Sequence, residues 1–277
     1  MPELPELQAH AERLGEDFGG AELAGFRPIT FTALKTYQPD PSSAAGSAVT
    51  AFGRRGKYLL MAVGPVTFVI HLMQGGRLRP DEKQAAKPRG GIARWTFADG
   101  RALLLTEPGT ERKAGVWVVS GDLEAQPPIE GLGPDADTLD AAGWAAVVSG
   151  RSSRLHGVLR DQHAVAGIGR RLANEICHRA RLSPFANASK LKSDQVATLA
   201  EAVQECIAES LAAERTHDEM VKSADRGGIH HRAGQPCPRC GDTLRTVEYR
   251  AYTVVYCPTC QTDGKVLADN TTSKFLK

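Results

Sequence analysis

The sequence predicts an α+β protein of several domains, and three observations lead to this fold class. An amphipathic helix opens the chain, six short β-rich runs follow it, and helical periodicity dominates the second half. Near the end, two Cys-x-x-Cys pairs enclose a β-rich segment, which indicates a metal-bound hairpin. At 277 residues the chain can bury two or three hydrophobic cores.

The first helix is predicted over residues 5–18, with its apolar residues on one stripe. Pro5 suits the first helical turn, and Gly19-Gly20 ends the helix. Such a helix would hold the start of the chain in a fixed place. Its polar residues are expected to face away from the core: His10, Glu12, Arg13 and Glu16.

The β-rich runs between Phe26 and Val119 are bounded by Gly, Pro or Asp. Six short runs at this spacing indicate a sandwich or a barrel. Asp99-Gly100 separates two of them and predicts a hairpin turn. The predicted strands span 49–52, 58–63, 66–72, 93–97, 101–106 and 116–119.

A polar segment rich in Pro and Gly, residues 127–140, marks a domain boundary. Cys177 and Cys206 stand alone in the helical half that follows, where a small buried residue is the expected role. The 3.6-residue spacing predicts helices over 139–149, 154–161, 171–181 and 193–215.

The overall charge decides little about partners. A net charge of +2 is too small to prove a nucleic-acid partner, so such a surface would have to come from local basic clusters. No apolar run reaches 18 residues, and the N-terminus lacks a basic-then-apolar signal pattern. We therefore expect a cytoplasmic protein with no membrane span.

The strongest motif is a set of four paired cysteines: Cys237, Cys240, Cys257 and Cys260. Two Cys-x-x-Cys pairs 16 residues apart fit one structural zinc ion, and the β-rich gap indicates a two-stranded finger. Two disulfides would require an oxidising compartment, for which the chain has no secretion signal. Zinc itself is no evidence for DNA binding, but the finger has basic residues that could contact phosphate: Arg239, Arg245, Arg250 and Lys265.

The chain start, Met1-Pro2-Glu3-Leu4-Pro5-Glu6, is a second candidate site. Initiator Met is normally removed before a small residue, which would leave Pro2 as the first residue. An α-amine, with an ordinary pKa of roughly 7.7–8.0, is a ready nucleophile toward carbonyl-like carbon. Taken alone, these residues favour a simple processed end, with Pro5 as a helix-start residue.

Two further segments are candidates for phosphate contacts. Lys57 follows the basic turn Arg54-Arg55-Gly56 at the start of a strand, where a lysine faces either solvent or a cleft. Gly167-Ile168-Gly169 leads through Arg170 and Arg171 into a helix, and such a turn can present backbone N–H groups to a phosphate. A plain turn between two helices explains the same residues.

Five motifs occur in order: Met1-Pro-Glu-Leu-Pro-Glu6, Gly56-Lys-Tyr-Leu-Leu60, His71-Leu with Gly76, Gly167-Ile-Gly169 with Glu175, and the four cysteines. Together they resemble the formamidopyrimidine-DNA glycosylase/endonuclease VIII family of base-excision repair enzymes, over nearly the whole chain. The resemblance implies a β-sandwich bearing the N-terminal helix, a helix–two-turn–helix domain and a zinc-finger hairpin. We accordingly expect these parts at 1–130, 131–228 and 229–265, followed by a tail at 266–277.

The resemblance also implies a mechanism. Pro2 would attack C1′ of an extruded nucleotide and displace the base, leaving an iminium, while Glu3 would protonate the opening sugar ring. Lys57 would contact phosphate and assist base release. Elimination through the iminium would cut the strand on the 3′ side and, in the family, on the 5′ side too. Glu6 would order the terminus, and Glu175 is a further matched residue.

The chain departs from the family pattern at positions that select the lesion. Arg170 stands where the family has an asparagine on phosphate, and Tyr252 where the finger tip has an arginine, for which Arg250 could substitute. Gln74 replaces the wedge methionine and residues 107–114 replace an Arg/Phe segment, which should weaken extrusion from stable pairs. The connection before the finger leaves little room for an 8-oxoguanine lid. The predicted DNA contacts are His71, Gln74, Gly167, Gly169, Arg170, Arg250 and Tyr252.

The sequence therefore predicts a divergent, monomeric, zinc-containing member of this family, associated with the nucleoid when bound to DNA. It would be a DNA glycosylase with AP-lyase activity on damaged, abasic or unpaired-region DNA. Abasic sites, oxidised pyrimidines and unstacked lesions are favoured over 8-oxoguanine. The alternative is a non-catalytic paralogue that binds damaged or structured DNA, suggested by Arg170 and Tyr252; the retained Pro2, Glu3 and Lys57 argue against it.

Overall fold

A computed structural model describes residues 1–110, 112–220, 228–249 and 252–267. The chain forms two compact units, Met1–Gly131 and Leu132–Lys277. Among the described residues, no helix has the length and apolar character needed to cross a membrane.

Helix α1 (Leu4–Phe18) begins the first unit. Glu3 is its N-cap, in extended conformation, and Pro5 lies in the first turn, where a missing N–H costs nothing. The apolar stripe is buried, with Leu14 only 2 % exposed. Because α1 packs on the strand Val49–Arg55, burial of each such leucine contributes about 1.5–3 kcal/mol to holding the chain start in place.

The described part of the first unit has eight strands. They are β1 (Leu23–Pro28), β2 (Val49–Arg55), β3 (Tyr58–Val63), β4 (Val66–His71), β5 (Arg77–Pro80), β6 (Gly91–Phe97), β7 (Ala102–Thr106) and β8 (Gly115–Val119). Two antiparallel sheets result, with orders β1-β6-β7-β5 and β2-β3-β4-β8. The rings of Phe68 and Trp95 meet edge-to-face at 5.8 Å between the sheets. The unit is therefore a β-sandwich.

Six of these strands lie where the sequence predicts them, and Asp99-Gly100 forms the turn between β6 and β7. Strands β1 and β5 were not predicted. Strand β5 also corrects the predicted orientation of His10, which does not face away from the core. This side chain is buried, and its Nε2 lies 2.9 Å from the Leu78 carbonyl oxygen, which accepts its N–H.

The second unit contains helices and a finger. Its elements are α2 (Ala141–Val148), α3 (Leu155–Arg160), α4 (Arg170–Arg179), α5 (Ser193–Arg215), β9 (Arg245–Tyr249), β10 (Tyr252–Tyr256) and α6 (Pro258–Gln261). Helix α4 packs on α5 and on β10. Cys177 and Cys206 are buried in helices, as predicted. The α+β fold class is confirmed, with the finger as a two-stranded hairpin.

Candidate functional site

The start of the chain is held by a capping interaction. Pro2 and Glu3 are buried, and Glu6 is fully buried. The Glu6 carboxylate accepts the backbone N–H of Glu3 at 2.6 Å through Oε2, a short charge-assisted bond. This bond and the buried stripe of α1 fix the first residues relative to the sandwich.

Lys57 lies in the two-residue loop between β2 and β3. Arg55 and Tyr58 are the last paired residues of this hairpin, and Gly56 takes the positive φ of 54° that its turn requires. Lys57 is half-buried. The hairpin therefore holds this half-buried lysine at one end of the β2–β3 pair.

His71 is the last residue of β4 and lies close to Lys57 and the terminal amine. Burial lowers the pKa of its imidazole to about 4, and the charges of Lys57 and of the terminal amine add to this effect. The amine in this structure is that of Met1. His71 Nδ1 accepts the backbone N–H of Met73 at 3.2 Å, so the neutral ring keeps its proton on Nε2. Three of the predicted groups are thus brought together in the first unit.

The turn after His71 carries the predicted wedge position. Gln74 is exposed and Met73, beside it, is half-buried with a φ of 52°. Gly76 must be glycine, because a Cβ there would lie 2.2 Å from the Leu72 carbonyl oxygen. Both Gln74 and Met73 therefore sit on a tightly constrained turn.

The segment 107–114 contains a contact that the sequence did not reveal. Glu107 is 5 % exposed, and its Oε2 accepts the backbone N–H groups of Lys113 at 2.6 Å and Ala114 at 2.7 Å. The carboxylate closes this loop from within. Glu111 lies outside the described residues.

In the second unit, Gly167 and Gly169 shape the turn before α4. Gly167 has a φ of 100°, and the Gln162 side chain accepts its N–H at 3.0 Å. Gly169 is the N-cap of α4 and Arg170 is exposed at the first helical position. Arg171 is 5 % exposed, and its guanidinium donates to Ser210 Oγ at 3.2 Å, so only the first of the two adjoining arginines faces outward.

Glu175 anchors the entry to the finger. Its carboxylate accepts the backbone N–H groups of Ile229 at 2.9 Å and His230 at 2.8 Å. Gly228, just before them, has a φ of 77°, and a Cβ on it would lie 2.3 Å from a Glu175 oxygen. The predicted supporting residue thus supports the finger.

The finger tip differs from a simple basic hairpin. Tyr252 pairs with Tyr249 across the hairpin, and their rings stack at 4.7 Å. The guanidinium carbon of Arg160, from α3, lies 3.9 Å from the centre of the Tyr252 ring. Arg250 lies outside the described residues.

The four predicted cysteines form one cluster. Their Sγ atoms all lie within 4.8 Å of one another, with Cys237–Cys260 at 3.9 Å and Cys240–Cys257 at 3.4 Å. A tetrahedral zinc ion with Zn–S bonds of about 2.3 Å has S–S edges of about 3.8 Å. The cysteines are not paired in disulfides. The set fits one structural zinc ion with no open position.

Two neighbours of the zinc ligands join the finger to α4. His178 Nε2 lies 3.2 Å from Cys237 Sγ. Burial lowers the pKa of His178 to about 4, and the charges of Arg239 and Arg179 add to this effect. The neutral ring can therefore donate its Nε2–H to the sulfur of Cys237. Arg239 donates to the carbonyls of His178 at 2.7 Å and of Arg179 at 3.2 Å. Arg239, one of the basic finger residues that could contact phosphate, caps the end of α4.

A helix-capped β-sandwich, a helical unit with a glycine turn and a four-cysteine hairpin define the class of zinc-finger proteins with a helix–two-turn–helix domain. Three family models match in this order: the formamidopyrimidine-DNA glycosylase N-terminal domain over residues 1–117, its H2TH domain over 131–221, and the zinc finger found in FPG and IleRS over 234–262. The chain belongs to the formamidopyrimidine-DNA glycosylase family.

Named relatives agree with this assignment. An uncharacterised formamidopyrimidine-DNA glycosylase-like protein of Mycobacterium tuberculosis is 40 % identical over 54 % of this chain and 98 % of its own length. The formamidopyrimidine-DNA glycosylase of Alkalilimnicola ehrlichii is 30 % identical over 94 % of this chain and all of that protein.

Solved structures show the same fold. The MutM (Fpg) protein of Thermus thermophilus matches with a TM-score of 0.80 and 27 % identity, over 94 % of this chain and 98 % of that one. A Lactococcus lactis Fpg, solved with Fapy-dG containing DNA, matches with a TM-score of 0.82 and 19 % identity over 94 % of this chain and 100 % of that one.

Proposed function

We propose that this protein is a DNA glycosylase with AP-lyase activity that acts as a monomer on damaged or abasic DNA. Its family and its named relatives support DNA as the partner and the N-glycosyl bond as the target. The observation that carries the proposal is the position of the chain start. Pro2 and Glu3 are held at the cap of α1, and the terminal amine and Lys57 both act on His71.

The nucleophile of this proposal is the secondary amine of Pro2 after removal of Met1. Its lone pair forms a bond to C1′ of the extruded nucleotide as the glycosyl bond breaks. The bonding electrons leave with the base, which takes up the proton that the amine nitrogen loses. Glu3 gives a proton to the ring oxygen as the sugar opens, which leaves an iminium between Pro2 and C1′. Loss of a C2′ proton then expels the 3′ phosphate, and a further elimination expels the 5′ phosphate.

The remaining residues bind DNA or hold the site. Lys57 places a positive charge on a phosphate, and His71 offers its Nε2–H to another, since its Nδ1 is occupied. Glu6 fixes the terminus and Glu175 fixes the entry to the finger. The proposed DNA contacts are His71, Gln74, Gly167, Gly169, Arg170, Arg250 and Tyr252.

The preferred lesion follows from the altered wedge. An exposed Gln74, with no aromatic residue in the segment 107–114, gives little apolar surface to insert between stacked bases. Abasic sites, oxidised pyrimidines and already unstacked lesions are therefore the proposed substrates, ahead of 8-oxoguanine. With DNA as its substrate, the protein would work in the cytoplasm at the nucleoid.

Borohydride trapping on an abasic-site duplex tests the nucleophile. Wild type should form a covalent adduct, and mass spectrometry should place it on the peptide that begins at Pro2. Pro2→Gly should lose most of this adduct, whereas Pro5→Ala, a proline replaced three residues further on, should retain it. No adduct in the wild type, or equal trapping by Pro2→Gly, would show that the nucleophile is wrong.

A second candidate function is damage recognition without catalysis. It is favoured by Tyr252, whose half-buried ring stacks on that of Tyr249 where a phosphate-binding arginine is expected. Tight binding of a damaged strand, with no nicking in single-turnover reactions, would support this candidate over the first.

A further inference from the structure

The finger tip and α3 share a stacked group of five side chains. We call it the tip array: Arg154, His156, Arg160, Tyr249 and Tyr252. The rings of Tyr249 and Tyr252 lie 4.7 Å apart at an interplanar angle of 15°, and the His156 ring lies almost parallel to that of Tyr252, at 5.9 Å and 16°. Arg160 covers the Tyr252 ring at 3.9 Å.

The tip array carries uncompensated positive charge. Among the described residues, neither Arg154 nor Arg160 lies within ion-pair distance of a carboxylate. His156 adds no charge, because burial and then the charge of Arg160 lower the pKa of its imidazole to about 3. Two guanidinium groups in one patch, with no acidic partner, attract an anion.

The two arginines are not equivalent. Arg154 donates from Nη1 to the hydroxyl of Tyr249, so part of its hydrogen-bonding edge is used inside the protein. No side-chain hydrogen bond of Arg160 is present among the described residues, and its recorded contact is the face of the Tyr252 ring. A guanidinium that stacks on a ring directs its N–H groups outward in its own plane, which suits the paired oxygens of a phosphate.

We propose that Arg160, supported by the ring of Tyr252, binds a DNA phosphate at the finger tip. The inference rests on the proposed function and adds a binding residue to it. Where the family pattern has an arginine on the hairpin, this chain has a tyrosine that holds an arginine from α3. An alternative role for Arg160 follows from its position as the last residue of α3, where a positive charge complements the helix dipole. That role would not require Arg160 to lie on the ring of Tyr252, as it does.

The test is binding to a fluorescent duplex that contains a tetrahydrofuran abasic-site analogue, over about 50–200 mM salt. Arg160→Gln, which keeps length but removes charge, should weaken binding about tenfold and reduce the slope of log affinity against log salt by about 0.9. Tyr252→Leu should also weaken binding, whereas Tyr252→Phe should not. Arg181→Ala, an exposed arginine lost elsewhere in the second unit, should change affinity less than about twofold.

Wild-type affinity and salt slope in Arg160→Gln, with native zinc content and circular dichroism, would overturn the inference. So would a loss seen in Arg250→Ala but not in Arg160→Gln. Arg160→Lys, which retains charge but not the planar fork, provides a second folded variant and should bind between wild type and Arg160→Gln. Wild type that traps abasic DNA while Arg160→Gln binds normally rejects this inference alone; wild type that neither binds nor traps rejects the proposed function as well.

Discussion

His10 is a polar residue kept inside the first unit by a single carbonyl. Its Nε2 lies 2.9 Å from the Leu78 carbonyl oxygen, and burial lowers the pKa of its imidazole to about 4, with a smaller effect from the charge of Arg13. The ring is therefore neutral at pH 7. Protonation would place a charge in the core and cost free energy of folding.

This burial predicts acid sensitivity of α1. The folded pKa lies below the ordinary value of 6.5, so the unfolded chain binds more protons, and the stabilising contribution is present above pH 6.5 and lost as pH falls toward 4. Between pH 7 and pH 5 the loss is about 2 kcal/mol. Hydrogen exchange of α1 amides should show this loss in wild type and a smaller one in His10→Gln. An identical pH dependence in both proteins would contradict the assignment.

Single residues were predictable where chemistry and motif order coincide. Chemistry and motif order together predict Pro2, Glu3 and Lys57 as site residues. The charges of Lys57 and of the terminal amine both act on His71, and the catalytic roles of the three residues stay predictions. The burial of His10 was not predictable, because the strand that covers it, β5, has a single buried apolar residue, Leu78. The expected exposure rested on the polarity of histidine alone, since position 10 itself lies one turn from Leu7 and one turn from Leu14 on the apolar stripe.

At the level of elements, the entry to the finger depends on Glu175 and on the glycine before Ile229. A side chain at Gly228 would meet the Glu175 carboxylate at 2.3 Å, and it would also be strained at a φ of 77°. Gly234 has the same φ of 77° with nothing within 4 Å of a Cβ. An alanine at Gly234 would therefore suffer backbone strain alone, whereas an alanine at Gly228 would suffer the same strain and also collide with the Glu175 side chain.

We predict that Gly234→Ala costs about 1 kcal/mol, from backbone strain alone. Gly228→Ala should lower the free energy of unfolding by about 1–3 kcal/mol more than Gly234→Ala does, because it displaces the Glu175 carboxylate, which accepts two backbone N–H groups. Chemical denaturation of the two variants measures the difference. Equal losses would mean that Glu175 does not hold the finger entry.

The long elements were predictable from their periodicity, and the short connecting contacts were not. Helix α5 has the predicted bounds because its apolar spacing continues over more than six turns. The capping of α4 by Arg239 and the stacking of Arg160 on Tyr252 join residues distant in sequence. Neither contact has a local signal in the sequence, so periodicity and motif spacing predict neither of them.

On the scale of the whole molecule, the first unit and the finger differ in what stabilises them. The first unit has an extensive apolar core between two sheets. The finger has only a small buried cluster, formed by Ile229, Cys237, Leu244, Val255 and Cys257. Two of these five residues, Cys237 and Cys257, are zinc ligands. A cluster of this size cannot offset the conformational entropy of the hairpin without metal.

Removal of zinc should therefore unfold the finger and leave the first unit folded. Structural zinc contributes about 10–16 kcal/mol in small finger peptides, more than this cluster can supply. After chelation, hydrogen exchange should lose protection over residues 229–249 and 252–262 but keep it in α1 and the sandwich, and affinity for abasic-site duplex should fall. Cys260→Ser should reproduce these changes without a chelator, whereas Cys206→Ala, a buried cysteine outside the cluster, should retain zinc. Preserved hydrogen-exchange protection in the metal-free finger would show that its apolar residues keep it folded without zinc. Loss of protection in the first unit together with the finger would show that the two fold cooperatively.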